Sequence, residues 1–499
     1  MKMKKNFMNR YSKSLLLTGS ALGLFVAQSC TNLDEEVSDQ IPQEAFGKNA
    51  EQLAALIGPL YGSVGDYFDR YAALNTTTDE QIVPTRGGDW KDGDQWKRLY
   101  QHTWNPGLDD GTFNGLWTWI YNNSTSINRQ LINPAINDKA TIAELKTLRA
   151  FYHYLAMDNF GNVIIADKIG AESPEQKTRT EVFAWVESEL LAALPDLPDA
   201  VGGAQYSRMN KYVAHMILAK MYLNAQVYTG TPQWGKAIQQ CDAIITANKY
   251  TVADDFLSTF STNNHTSKEI ILATPFDKSK RGGMNMQMRT LHYLNQLTYG
   301  LASSPWNGYS TLAEFYNSFE ENDTRKKMWL VGPQFNAAGQ PLMDDGQQLS
   351  FKPEIPTFEM AAGPVARAAG ARGVKYEVQK NNPNNDQDND FVIFRISDVY
   401  LMRGEAKFRN GDPTALLDLN MIRTKRGVAA FTTLTLDDIL AERGRELAWE
   451  YHRRQDLIRF GKYTAARQFK EASPSTRILF PIPASQLALN PKLKQNPGY

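Results

Sequence analysis

Cysteine is nearly absent: of 499 residues only Cys30 and Cys241 are cysteines, which excludes a disulfide-stapled scaffold. Histidine is scarce too. The six histidines (His102, His153, His215, His265, His292 and His452) never come closer than 27 residues, so the i, i+4 ligand pairs of helical zinc sites are missing. No Gly-x-Gly occurs, which removes the dinucleotide-binding fingerprint, and no Gly-x-Ser-x-Gly elbow is present for a nucleophilic serine. Charge of one sign is also lacking, with 54 basic against 54 acidic residues. No global field would draw in nucleic acid, and a polynucleotide partner is not expected. After Ala27 no apolar run approaches membrane-spanning length.

What is present begins at the N-terminus. Lys2, Lys4, Lys5, Arg10 and Lys13 lead into an apolar run from Leu15 to Ala27, which stops at Cys30. That run is about 13 residues long, the length of a signal-peptide core and short of a bilayer span. Ala27 and Ser29 supply the small residues a signal peptidase needs. Residues 1–29 therefore read as a cleaved lipoprotein signal and Cys30 as the lipidated mature N-terminus, followed by an acidic leader over 30–45. Everything beyond would work outside the cell, held to the outer membrane by its lipid.

Helical periodicity dominates the remainder. The spacing of apolar residues predicts helices over 52–62, 115–131 and 141–160, the last closed by Gly161. Two helical hairpins follow, one over 207–228 and 234–247 and the other over 398–409 and 413–427. Their length suggests tetratricopeptide-like stacking. Between them, residues 251–394 are rich in Asn, Gly, Pro and Ser and contain only short strand-like pieces such as 269–273. The expected fold is all-α, mostly helical: a hairpin scaffold over 46–250 and 395–499, with a loop-rich binding region over 251–394. Loops carried on a rigid scaffold are where binding residues concentrate.

Several patterns suggest chemistry and fail on detail. Gly230 to Lys236 has phosphate-loop spacing, but Ala237 replaces the magnesium-binding hydroxyl and no strand precedes it, so a hairpin turn is expected. Asp386-Gln-Asp388-Asn-Asp390 begins like a calcium loop, yet Phe391 stands where the turn glycine belongs. Asp109 and Asp110 are adjacent, which does not suit a glycosidase pair flanking a scissile bond. The run from Glu442 to Asp456 alternates in sign. Glu442 with Arg445 and Glu450 with Arg454 are expected to pair within one helix as a structural ion network. Cys241 is expected in a helix core. No metal or cofactor is expected.

The aromatic residues are more informative. Trp90, Trp96, Trp104, Trp117 and Trp119 fall within thirty residues. A sugar presents a face of C–H groups and an edge of hydroxyls, so its site needs an exposed ring beside amides, carboxylates or guanidinium groups. Two segments supply both: Thr85 to Asp94 around Trp90, and Ser303 to Tyr309 around Trp306. Trp117 and Trp119, in a helical run, are expected in the core.

The C-terminal quarter resembles the SusD/RagB family of outer-membrane nutrient-binding lipoproteins. The residues that carry the likeness are Arg395-Ile-Ser-Asp398 through Glu405-Ala406, Leu419-Asn420 through Arg423, Glu442 through Leu447, Arg454 to Leu457, and the tail from Phe480 to Pro483 with Gln495 to Tyr499. Leu148 to Tyr152 and Phe160 to Val163 extend it into the N-terminal half. Gly404 departs mildly from the family's usual Ala. Asn32 to Glu36 further resembles the acidic tag that sends lipoproteins of the Bacteroidetes to the outer face of the outer membrane. The resemblance implies a SusD-like fold with four tetratricopeptide-like units, forming a lid on a SusC-like TonB-dependent transporter that imports glycans. Peptide ligands are the alternative, and a surface glycoside hydrolase is a more distant one. It also implies capture without catalysis. By position, the expected ligand contacts are Trp90, Trp306 and Tyr309 as stacking platforms, with Asp79, Asn307 and Arg372 as hydroxyl partners.

Overall fold

A computed structural model describes residues 49–170 and 173–499. The signal, Cys30 and the acidic leader lie outside the described residues. The scaffold is a chain of helices in which each packs on the next: Asp110–Leu131 on Lys139–Phe160, that helix on Arg179–Ala193, and so on through Lys211–Leu223 to Trp234–Thr246. The stack then skips a long stretch of sequence. Trp234–Thr246 packs against Ile396–Arg409, which pairs with Ala415–Lys425. The loop-rich segment is thus an insertion into a continuous helical stack. Its two ends meet as antiparallel strands, Ile270–Thr274 against Phe391–Arg395, all ten residues buried.

Local chemistry fixes the helix boundaries. The Asp138 side chain accepts the Thr141 N–H at 2.8 Å and starts one long helix, and Gly161, at φ 74°, ends it. Asn210 accepts from the Tyr212 and Val213 amides at 3.0 and 3.1 Å. The expected helix over 207–228 therefore starts at Lys211, and it breaks at Asn224 into two pieces. The turn at Gly230, φ 80°, joins helices as expected. Trp117 and Trp119 are buried, as is Cys241, whose thiol burial pushes far above its ordinary pKa. Gly404 sits where two helices touch: a Cβ there would lie 2.3 Å from Leu419 Cδ1 and 3.3 Å from the Ala415 carbonyl oxygen. The departure from Ala permits that approach.

The charged run is buried, not solvated. Arg395, fully buried, reaches Glu269 at 2.6 Å and Glu446 and Glu450 at 2.8 Å each. Arg426 bonds Glu446 at 2.8 Å, and Arg325 reaches Glu442 at 2.7 Å and Glu446 at 3.0 Å. Burial raises the Glu446 carboxyl, but Arg426, Arg395 and Arg325 outweigh it and hold the pKa well below the usual range. Glu442 does pair with Arg445, at 2.7 Å. The expected Glu450–Arg454 pair does not form, because the helix ends at Leu447 and a separate one begins at Arg453. Glu450 binds Lys375 and Arg395, and Arg454 binds Asp158 at 3.0 Å. The network ties the insertion's closing strands to the C-terminal helices.

Candidate functional site

Arg86 organises the loops that carry the exposed aromatics. It ends a two-residue strand, Thr85–Arg86, parallel to Glu359–Met360, and its side chain is buried. The guanidinium donates to the carbonyls of Asn307 at 3.0 Å, Gly308 at 2.8 Å, Ala366 at 3.0 Å and Ala369 at 2.9 Å. One side chain therefore pins the 307–308 loop to the 366–369 turn. Burial lowers its pKa to about 9, still charged at neutral pH.

After Arg86 the chain turns at Gly87, φ 75°, where a Cβ would come 2.9 Å from that of Ala362. Trp90 follows in the left-handed region, φ 59°, a conformation that costs energy for a bulky residue and marks a constrained site. Its indole Nε1–H donates to the Trp306 carbonyl at 2.6 Å. One face of the ring lies on Gly308, where a Cβ would come 2.2 Å from Trp90 Cε2. The ring meets Trp96 and Tyr309 edge-on, with centroids 5.4 and 5.6 Å away. Trp306, 38% exposed, stands at the rim with its amide bonded to the Met288 carbonyl at 2.6 Å. Asp89, exposed, accepts from the Tyr293 hydroxyl, and Asp92 accepts from Trp96 Nε1 at 2.7 Å. This is an aromatic surface edged by carboxylates and a phenol, which can stack a C–H face and accept from hydroxyls.

The structure brings Trp90, Trp306 and Tyr309 together, as one site requires. It gives the other expected contacts different work. Tyr309 is 1% exposed and buttresses Trp90 and Trp96, leaving no open face for a ligand. Asn307 and Arg372 are fully buried, and both donate to the Arg367 carbonyl, at 3.2 and 2.7 Å. Arg372 stacks on Phe351 at 5.1 Å. In this conformation neither can reach a hydroxyl of a bound ligand, because loops 307–311 and 366–373 close over them. Asp79 lies elsewhere, bonded through both oxygens to Arg453 at 2.7 Å each. Arg86 and Asp89 lie in the Thr85–Asp94 segment singled out from sequence but were not named as contacts, and Trp96 and Tyr293 were missing from the expected set. Trp96 belongs to the same tryptophan cluster and could have been drawn from it, whereas Tyr293 carries no local signal and joins only through the fold.

No catalytic arrangement emerges at the carboxylates considered from sequence. Asp109 is held by Arg98 at 2.6 Å and by the Asn105 amide at 2.8 Å, while Asp110 accepts from the Ala484 amide at 2.7 Å. Asp390 accepts from Tyr206 at 2.6 Å and the Phe276 amide at 2.8 Å, and Asp388 binds Lys278. Among the described residues no group of three or more His, Cys, Asp or Glu could hold a metal ion, and no helix is long and apolar enough to cross a membrane.

A profile of the SusD family matches residues 367–472. The starch-binding protein SusD of Bacteroides thetaiotaomicron is 26% identical over 406 residues, covering 72% of this chain and 72% of its own. SusD-like protein P25 of Formosa agariphila is 27% identical over 433 residues, 78% and 79% of the two chains. Surface glycan-binding protein A from Bacteroides thetaiotaomicron, solved in complex with laminarihexaose, superposes with a TM-score of 0.73 at 21% identity, over 90% of this chain and 99% of that one. That likeness establishes a shared, mostly helical fold. The names of SusD and of the glycan-binding protein describe binding, not catalysis.

Proposed function

We propose that this chain, which belongs to the SusD/RagB family, is a glycan-binding protein of the cell surface that captures oligosaccharide on the Trp90–Trp306 surface without catalysis. The observation that carries this reading is Trp306: a large indole 38% exposed, yet held by backbone bonds on both sides of its residue. With the backbone fixed, only the side-chain torsions remain to be ordered when a sugar stacks on the ring, so more of the stacking energy appears as affinity. Trp90 and Trp96 would extend the apolar strip, with Asp89 and Tyr293 at its edge for hydroxyls. Asn307, Tyr309, Arg86 and Arg372 would hold the loops in place behind it. The starch and laminarihexaose of its relatives support a glucan as a first ligand to try.

The captured glycan would pass to a partner SusC-like TonB-dependent transporter in the outer membrane. Lipidated Cys30 and the leader to residue 45 would tether the protein beside it, which raises the effective concentration of one partner near the other. Calorimetric titration of the mature protein with starch- and laminarin-derived oligosaccharides tests the reading. Heat from at least one of them, lost on Trp306→Ala, is expected; silence across a wider panel would refute it.

A further inference from the structure

Asp79, set apart from the aromatic surface, lines a cavity of about 300 Å³ of its own. Phe315 and Leu440 supply apolar lining, and the Asp79–Arg453 pair borders the same cavity. Arg467 and Lys462 also line it. Arg467 spends Nη2 on the carbonyls of Thr77 and Tyr100, at 2.9 and 3.1 Å, and among the described residues no carboxylate is bonded to it. Its Nε is buried without a protein acceptor. Lys462 is half exposed, with Asp437 at 3.4 Å as its ion-pair partner, itself largely in solvent.

The lining charges are Asp79 and Glu314 against Arg453, Lys462 and Arg467, with Asp437 beside Lys462 at the solvent edge. Arg453 and Asp79 satisfy each other, and Arg453 outweighs burial to keep the Asp79 carboxyl below its ordinary pKa. That leaves Arg467 as the lining cation bonded to no carboxylate of the described residues, while Lys462 has only Asp437, itself largely in solvent, at 3.4 Å and can turn to an anionic group in the cavity. Asp79 keeps lone pairs for hydroxyls, because each oxygen accepts one bond from Arg453. A volume of about 300 Å³ is at the small end of ligand pockets and suits a single ring.

We propose that this cavity is a second binding site, specific for a sugar bearing a carboxylate, that is, a hexuronic acid residue. The carboxylate lies against Arg467 and Lys462, the ring hydroxyls donate to Asp79, and the C–H groups face Phe315 and Leu440. The site rests on the reading of the chain as a sugar binder but not on the aromatic surface.

The test is calorimetric titration of the mature full chain with D-glucuronate, D-galacturonate, D-glucose and acetate. One uronate is expected to bind, with glucose and acetate at least about tenfold weaker, the cost of losing one charged or several neutral hydrogen bonds. Ala465→Trp, at an exposed position that lines the cavity and takes no part in the Asp79–Arg453 bonds, should crowd the space and abolish uronate binding. Lys462→Gln should weaken it about threefold, as for a solvent-exposed ion pair. Trp306→Ala should leave it unchanged. The proposal is overturned if neither uronate binds, if glucose or acetate binds as well, or if Ala465→Trp has no effect while Trp306→Ala removes uronate binding. That last outcome would place the uronate on the aromatic surface and leave the main reading intact.

Discussion

Trp90 and Trp306, 216 residues apart in sequence, are joined by one hydrogen bond from the Trp90 indole to the Trp306 carbonyl at 2.6 Å. Because that bond uses the backbone of Trp306, it fixes the point from which the exposed ring projects and leaves the ring face unoccupied. Gly308 completes the arrangement by leaving room for the Trp90 face. In Gly308→Ala the new Cβ would sit 2.2 Å from Trp90 Cε2, so Trp90 must swing away. Oligosaccharide affinity is expected to fall about tenfold or more, the worth of a stacking contact and a hydrogen bond. Titration reports the loss, and circular dichroism should show the helical content unchanged.

The buried ion network acts on stability and not on binding. Arg395→Met would remove the guanidinium shared by Glu269, Glu446 and Glu450; Glu446 keeps Arg426 and Arg325 and Glu450 keeps Lys375, but Glu269 is left with Arg426 only at 3.7 Å. Removing one partner of a buried pair costs about 3–5 kcal/mol. Chemical denaturation should show a loss of that order, with the affinity of the folded fraction unaltered.

Glu80 gives a pH signature. It is fully buried, accepts from the Trp449 amide at 3.0 Å, and leaves Oε2 without a partner. Burial pushes its pKa up to about 8 from an ordinary 4.5. The folded chain then holds a proton that the unfolded chain releases, so this contribution to stability is whole below pH 4.5 and is lost as pH climbs through 8. Glu80→Gln mimics the protonated acid. Thermal melts of the two proteins should match most closely at pH 5 and separate in favour of the variant by pH 8.5, by on the order of 1 kcal/mol or more.

Anchoring should separate cleanly from capture. Cys30→Ala is expected to remove surface retention, read by fractionating cells, while the purified protein keeps its full glycan affinity.

The scaffold was legible because its signals are local. The hairpins at 211–246 and 396–425 show helical periodicity and end at breakers, whereas the stretch 251–394 is rich in breakers throughout and lacks the periodicity, so the helical and loop-rich regions could be told apart. The buried network was half legible. Glu442 and Arg445 do pair, but the break between Leu447 and Arg453 turns Glu450 toward Lys375 and Arg395, partners 75 and 55 residues away. The site followed the same rule. Glycines and aspartates around Trp90 announced a surface loop, whereas the burial of Asn307, Tyr309 and Arg372 depends on Arg86 drawing two distant loops together. Short polar segments look alike in sequence whether they face solvent or close over a guanidinium.

The most direct test of glycan capture at the aromatic surface is titration of the mature protein and its Trp306→Ala variant with the same oligosaccharides. Loss of at least about tenfold in affinity, with unchanged melting temperature, is the predicted result, since burying a large apolar side chain contributes about 1.5–3 kcal/mol and about 1.4 kcal/mol is tenfold. Equal affinity in the two proteins would contradict the account.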